Sequence, residues 1–167
     1  RLAAQGALDK ARTELALGVL LDLPDWVIER LQADVDGEEI VQLGQGLTQP
    51  APLDLRVNLL KTTREAVLTQ FATEGIAASP TPYSPTGIRL AGKPALAQHP
   101  LMAGGAIEVQ DEGSQLVCHL VGARRGEMVV DFCAGAGGKT LALAAAMRSS
   151  GRIYAFDVSE KRLDNLK

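Results

Sequence analysis

A chain of 167 residues, 46% hydrophobic, can bury a core as one ordinary domain or two small ones, and with aromatics at 4% aliphatic side chains must fill it. The net charge of −3 excludes a strongly basic polyanion binder, so any basic patch must be local. Two cysteines, Cys118 and Cys133, make neither a disulfide framework nor a metal site, which points to a reduced, cytoplasmic setting. No stretch approaches the roughly 18–20 apolar residues of a membrane span, and the N-terminus lacks the layout of a signal peptide. The first residue is Arg1, so the chain is expected to start inside a longer protein.

Residues 3–21 are rich in Ala and Leu at helical spacing. Pro24 and Asp25 suit the start of a second helix, with Trp26, Val27 and Leu31 on one face and Trp26 expected in the core. Residues 1–50 carry 4 basic and 9 acidic groups, so this helical, acidic segment is expected to leave any polyanion to later residues. From Leu53 the pattern changes. "LDLRVNLL" alternates as a strand, and "TTREAVLTQFATEG" is a helix capped by Thr62 or Thr63 and closed by Gly75. "SPTPYSPTGIRLAG" holds a short strand around Ile88–Leu90, and residues 51–108 read as a small α+β module.

The third region covers residues 109–167. Asp111 can cap a helix running to about Val121, and Met128–Phe132 is a short apolar strand. The glycine-rich "DFCAGAGGKT" of residues 131–140 follows, then an Ala-rich helix from about Lys139 to Met147. "GRIYAFDVS" reads as a second buried strand ending in Asp157, and "EKRLDNLK" starts another helix. Strand, loop, helix and strand open a doubly wound α/β fold, and only its opening is expected here.

The glycine loop admits three ligands. A phosphate-binding P-loop needs a glycine where Cys133 stands. A dinucleotide fingerprint fits Gly135 and Gly137 but meets Thr140 at its third glycine. Asp157 lies 20 residues past Gly137 at the second strand's end, where a carboxylate can accept both hydroxyls of an adenosine ribose. Spacing thus favours an adenosine ligand and leaves open whether it carries a pyrophosphate. A glycine-rich turn that binds nothing remains the other reading.

"DFCAGAGGKT" resembles the first motif of the RsmB/Nop2/Sun family of RNA 5-methylcytosine methyltransferases, usually D-x-C-A-A-P-G-G-K-T. "FDVSEKRLDNL" is similar to that family's second motif, "VQDEGSQLV" to the stretch before its catalytic core, and "LRVNLLKTTRE" to its N-terminal RNA-binding module. The four stretches cover residues from about 50 to 167 in the right order, with one departure: Gly135-Ala136 stand where Ala-Pro is usual. The resemblance implies an α/β fold, a truncated Rossmann-like class I methyltransferase domain preceded by a small α+β RNA-binding module and a helical N-terminal segment. It also implies S-adenosylmethionine as cofactor, with Cys133, Ala134, Gly135, Ala136, Gly137, Gly138 and Lys139 wrapping its methionine end and sugar, and Asp157 holding the ribose. Small residues at 134–138 would let backbone amides approach, and the next helix would offer its N-terminus to the cofactor's carboxylate. Asp131 is expected to fix the loop by accepting backbone N–H bonds.

The family's route to C5 of cytosine is covalent, with a cysteine thiolate attacking C6. The resemblance places its two cysteines in Pro-Cys and Thr-Cys pairs beyond Lys167, so no catalytic residue is expected in this chain and residues 1–167 alone should be inactive. Cys133 is expected to line the cofactor or pack. Cys118 beside His119 reads as a buried small hydrophobe rather than a dyad, because adjacent helical residues point about 100° apart. His99 reads as a loop residue. Arg56, Lys61, Arg64, Arg89, Lys93, Arg124 and Arg125 are the candidate contacts for an RNA partner, ribosomal RNA by resemblance, with no metal, no membrane and a monomeric full-length protein. A non-catalytic RNA-binding or assembly factor with a vestigial cofactor fold is the alternative, and a nicotinamide oxidoreductase a third.

Overall fold

The structure, a computed structural model, describes residues 16–166, so most of the helix expected over 3–21 lies outside the described residues. It divides into two compact units, Arg1–Ala51 and Pro52–Lys167. The first contains α1 (Leu17–Leu21), α2 (Asp25–Leu31) and α3 (Gly37–Leu47). The sequence reading missed α3, although Asp36 accepts the Glu39 N–H at 2.9 Å and that Asp-x-x-Glu spacing is a capping signature. Gly44 allows α3 to approach α1, since a Cβ there would stand 2.7 Å from that of Leu21. Trp26 is 67% exposed, contrary to the expected core position. Ile28 is the buried residue of α2, and two steps along a helix turn Trp26 about 200° away from it.

The second unit starts with an antiparallel sheet. β1 (Leu53–Val57), β2 (Ala78–Pro80), β3 (Gly87–Leu90) and β4 (Ile107–Val109) lie in the order β2-β3-β1-β4. α4 (Arg64–Thr73) joins β1 to β2 and the four-residue α5 (Pro100–Ala103) precedes β4, which is a ferredoxin-like topology. Thr63 caps α4 through the Ala66 N–H, and Gly75 takes the left-handed conformation just past its end, as expected. His99 is more than a loop residue: its Nδ1 accepts the Leu101 N–H at the start of α5, and its Nε2 lies 2.7 Å from Glu74 Oε2. Leu55, Val57, Ile88, Leu90 and Ile107 face α4 and pack on its Val67 and Phe71.

The other face of this sheet is polar and also buried, because α6 (Glu112–Val121) covers it. Cross-strand neighbours form ion pairs there. Arg89 grips Asp54 through Nε and Nη2 at 2.8 Å each, and Arg56 donates to Glu108 at 2.5 Å and to Gln110 Oε1 at 2.7 Å. Gln115 of α6 is 0% exposed; its Nε2 donates to the Leu55 and Gln110 carbonyls, and its Oε1 accepts from Ser84 Oγ at 2.7 Å. Glu112 accepts the N–H groups of Tyr83 at 2.6 Å and Ser84 at 2.8 Å.

Burial alone would push the Glu112 carboxyl up, yet those N–H bonds and Arg89 hold it below the usual carboxylate range. A depressed folded-state value means that its contribution to stability is present above the ordinary value and is lost as pH falls through the folded one. Urea titrations at stepped pH should therefore find the stability gap between the wild type and Glu112→Gln widest near neutrality and closing below about pH 4. A gap that stays constant to pH 3 would contradict this account.

β5 (Met128–Asp131), α7 (Gly138–Ala146) and β6 (Arg152–Ala155) follow, the strands pairing in parallel from Met128↔Arg152 to Asp131↔Ala155. Val129 and Ile153 pack on Ala142, Leu143 and Met147, and Cys118 of α6 completes the cluster. The alternate residues Met128, Val130, Phe132, Tyr154, Phe156 and Val158 are exposed. These strands were expected to be buried; among the described residues the helices cover only one of their faces. α8 (Glu160–Leu163) and a short 3-10 turn (Asp164–Leu166) end the described chain. The fold is mixed α/β: a ferredoxin-like sheet followed by the opening of a Rossmann-like domain.

Candidate cofactor site

The glycine loop leaves β5 at Asp131 and enters α7 at Gly138. Phe156 N–H donates to the Asp131 carbonyl and Ala134 N–H to the Phe156 carbonyl, both at 2.8 Å, so the strand pairing continues into the loop. Gly135 and Gly137 take φ of +56° and +90°, a region open to glycine at little cost. A Cβ at Gly137 would collide with Leu166, whereas one at Gly135 would meet nothing within 4 Å. The first constraint is close approach, the second purely conformational. The N–H groups of Gly138, Lys139 and Thr140 then start α7, where no preceding turn can accept them.

The loop-fixing role expected of Asp131 falls to Asp157. Asp131 accepts the Thr140 hydroxyl at 2.6 Å, tying the strand's end to the first turn of α7, and no loop N–H reaches it among the described bonds. Asp157, two residues beyond β6, fixes the loop: Oδ2 accepts the Gly135 N–H at 2.9 Å and Oδ1 the Ser159 N–H at 2.8 Å. The Ser159 N–H, then that of Gly135, then Arg162 hold its carboxyl below the usual range, overcoming a burial effect in the opposite direction. The side chain is 5% exposed and ionised at neutral pH. Each oxygen accepts one backbone N–H and retains a second lone-pair direction, which suits a pair of neighbouring hydroxyls.

Of the other loop residues, Ala134 and Gly137 are buried, Gly138 is half-buried, and Cys133, Ala136 and Lys139 are exposed. Exposure removes the packing role considered for Cys133. Cys118 is buried, its thiol donating to the Ser114 carbonyl at 3.4 Å, and burial pushes it up and away from the thiolate. Sequence reasoning missed Gln110, which reaches this site from the turn before α6 with its Nε2 beside Gly138. Only its place in "VQDEGSQLV" signalled it.

The basic residues proposed for RNA divide sharply. Arg56 is 4% exposed and used by Glu108 and Gln110, so it cannot reach a phosphate. Arg89 is committed to Asp54, Arg64 donates to the Ser84 carbonyl and Lys61 to that of Gly104. Lys93, Arg124 and Arg125 remain exposed.

Two sequence families match, one over each part of the fold. Residues 23–97 match the RsmF/B-like ferredoxin-like domain, and residues 119–167 match the 16S rRNA methyltransferase RsmB/F description. The chain belongs to the RsmB/F methyltransferase family. Curated members of the family share its sequence over most of its length. A probable ribosomal RNA small subunit methyltransferase B of Synechocystis sp. is 34% identical over 99% of this chain and 37% of its own length. The ribosomal RNA small subunit methyltransferase B of Pectobacterium atrosepticum is 37% identical over 86% of this chain and 33% of its own. This RsmB/F chain therefore spans about a third of the length of the curated relatives it matches. Among solved structures, a methyltransferase homologue from Pyrococcus horikoshii superposes with a TM-score of 0.77 at 30% identity, covering 88% of this chain and 48% of that one. NSun6 from the same organism, 17% identical with a TM-score of 0.69 over 77% of this chain and 57% of its own, shares the fold.

Proposed function

We propose that this chain is part of an S-adenosylmethionine-dependent enzyme that methylates C5 of a cytosine in ribosomal RNA, acting in the cytoplasm as a monomer. Residues 1–50 would form a helical segment, 51–108 an RNA-binding module and 109–167 the start of the cofactor domain. The observation that carries the reading is the Gly135–Asp157 bond, which brings a left-handed glycine loop, a helix N-terminus and a buried ionised carboxylate together. When bound, the cofactor supplies an electrophilic methyl group. Residues Cys133 to Lys139 would wrap its amino-acid end and sugar, with backbone amides close because the side chains at 134–138 are small. Asp157 would accept the ribose hydroxyls while still holding the loop. Cytosine activation through a cysteine–C6 adduct would fall to residues other than Cys118 and Cys133. The names of the curated relatives support ribosomal RNA as substrate.

Isothermal calorimetry of the full-length protein tests the cofactor. S-adenosylhomocysteine should bind, and Asp157→Ala should weaken it by at least about tenfold, because the ribose and the loop lose one acceptor together. Absence of binding, or binding indifferent to Asp157→Ala, would remove the assignment.

A further inference from the structure

Gln110 is held from every side but one. Its backbone N–H donates to the Asp54 carbonyl at 3.0 Å, and its own carbonyl accepts from Gln115 Nε2 at 2.8 Å. The Arg56 Nε–H donates to its side-chain oxygen at 2.7 Å. A guanidinium can only donate, so the atom facing Arg56 must be the oxygen, and the amide cannot flip. The two N–H bonds of Nε2 are thereby turned the other way, towards α7. Nε2 stands 3.5 Å from where a Cβ on Gly138 would lie, nearer than Cδ at 4.0 Å.

The residue is 6% exposed, and among the described residues no hydrogen bond leaves Nε2. An amide N–H without a protein acceptor, on a side chain fixed in direction, is available to a ligand. It lies beside the first N–H groups of a nine-residue helix, which also lack intrahelical acceptors. An anionic acceptor at the start of α7 would take bonds from both sets of donors.

We propose that Gln110 is a ligand-binding residue of this site, its Nε2 donating to the carboxylate at the amino-acid end of S-adenosylmethionine, with Arg56 as its positioning residue. The inference rests on the cofactor reading above. It also gives Arg56 a purpose in place of the phosphate contact that its burial excludes. Lys139, exposed on a flexible stem, would add charge to the same carboxylate without fixing its direction.

The test compares two ligands on the full-length protein by calorimetry: S-adenosylhomocysteine, and 5′-methylthioadenosine, which keeps the nucleoside and sulfur but has no carboxylate. Gln110→Leu should weaken the first about tenfold and leave the second unchanged. Gln110→Glu preserves size and the bond from Arg56 but faces the carboxylate with a like charge, so its loss should be larger and again confined to S-adenosylhomocysteine. Arg56→Met, which frees the amide to turn, should show the same split in smaller measure. Equal losses for both ligands, or no loss, would make Gln110 a structural residue only and overturn the proposal. Failure of the unaltered protein to bind either ligand would remove the cofactor reading and this inference with it.

Discussion

Purified residues 1–167 are expected to transfer no methyl group from labelled S-adenosylmethionine to RNA above background. Attack on C6 needs a thiolate over the base, and the chain has two cysteines. Cys118 is buried within the cluster that joins α6 to α7, donates to its own helix, and is pushed by burial away from ionisation. His119 beside it is exposed and points about 100° away around the helix, so it cannot act as the base. Cys133 is exposed, but it sits in the loop proposed to wrap the cofactor, one residue before the buried Ala134. A nucleophile placed there would meet the methyl donor and not the far side of a cytosine ring. Turnover that vanishes in Cys133→Ser would show that this loop holds the catalytic thiol after all.

Arg89→Ala should cost the second unit about 3 kcal/mol in urea denaturation. The Asp54 side chain is fully buried, and Arg89 is its bidentate partner. Removing the guanidinium leaves a carboxylate in the layer beneath α6 with, among the described residues, only the Glu112 N–H, at 3.4 Å, still directed at it. Arg89 is itself partly exposed, so water would enter and soften the penalty, which places the figure at the lower end for a broken buried pair. Adding Asp54→Asn to Arg89→Ala should restore part of the loss by removing the stranded charge. A single variant that loses less than about 1 kcal/mol, or a double variant worse than the single, would show that solvent already screens this pair.

The elements that were legible in the sequence are those whose signals are local. Thr63 and Asp111 cap their helices through the third following N–H, Gly75 ends one of them, and the Gly135, Gly137 and Asp157 spacing marked the loop and the carboxylate that meets it. The face of β1 was misread because its alternation is real but its environment is remote. Asp54 and Arg56 look like the solvent side of a half-buried strand, and they are covered by a helix about 60 residues further on. Trp26 failed for a different reason: a seven-residue helix with Trp26, Val27, Ile28 and Leu31 offers two apolar stripes, and packing on Ile28 chose between them. Gln110 carries no local signal, since its meaning comes from an arginine 54 residues away that orients its amide.

The polar layer beneath α6 also sets where this protein could be cut and rejoined. A chimera that borrows the ferredoxin-like sheet from one relative and α6 onward from another would place Gln115, Glu112 and their sheet partners in different hands. Ser84, Asp54 and Arg89 would then face strangers. The natural exchange unit runs from Pro52 through Gly122, past the end of α6, and junctions drawn at the visible turn between β4 and α6 should yield hybrids that express poorly however similar their parents.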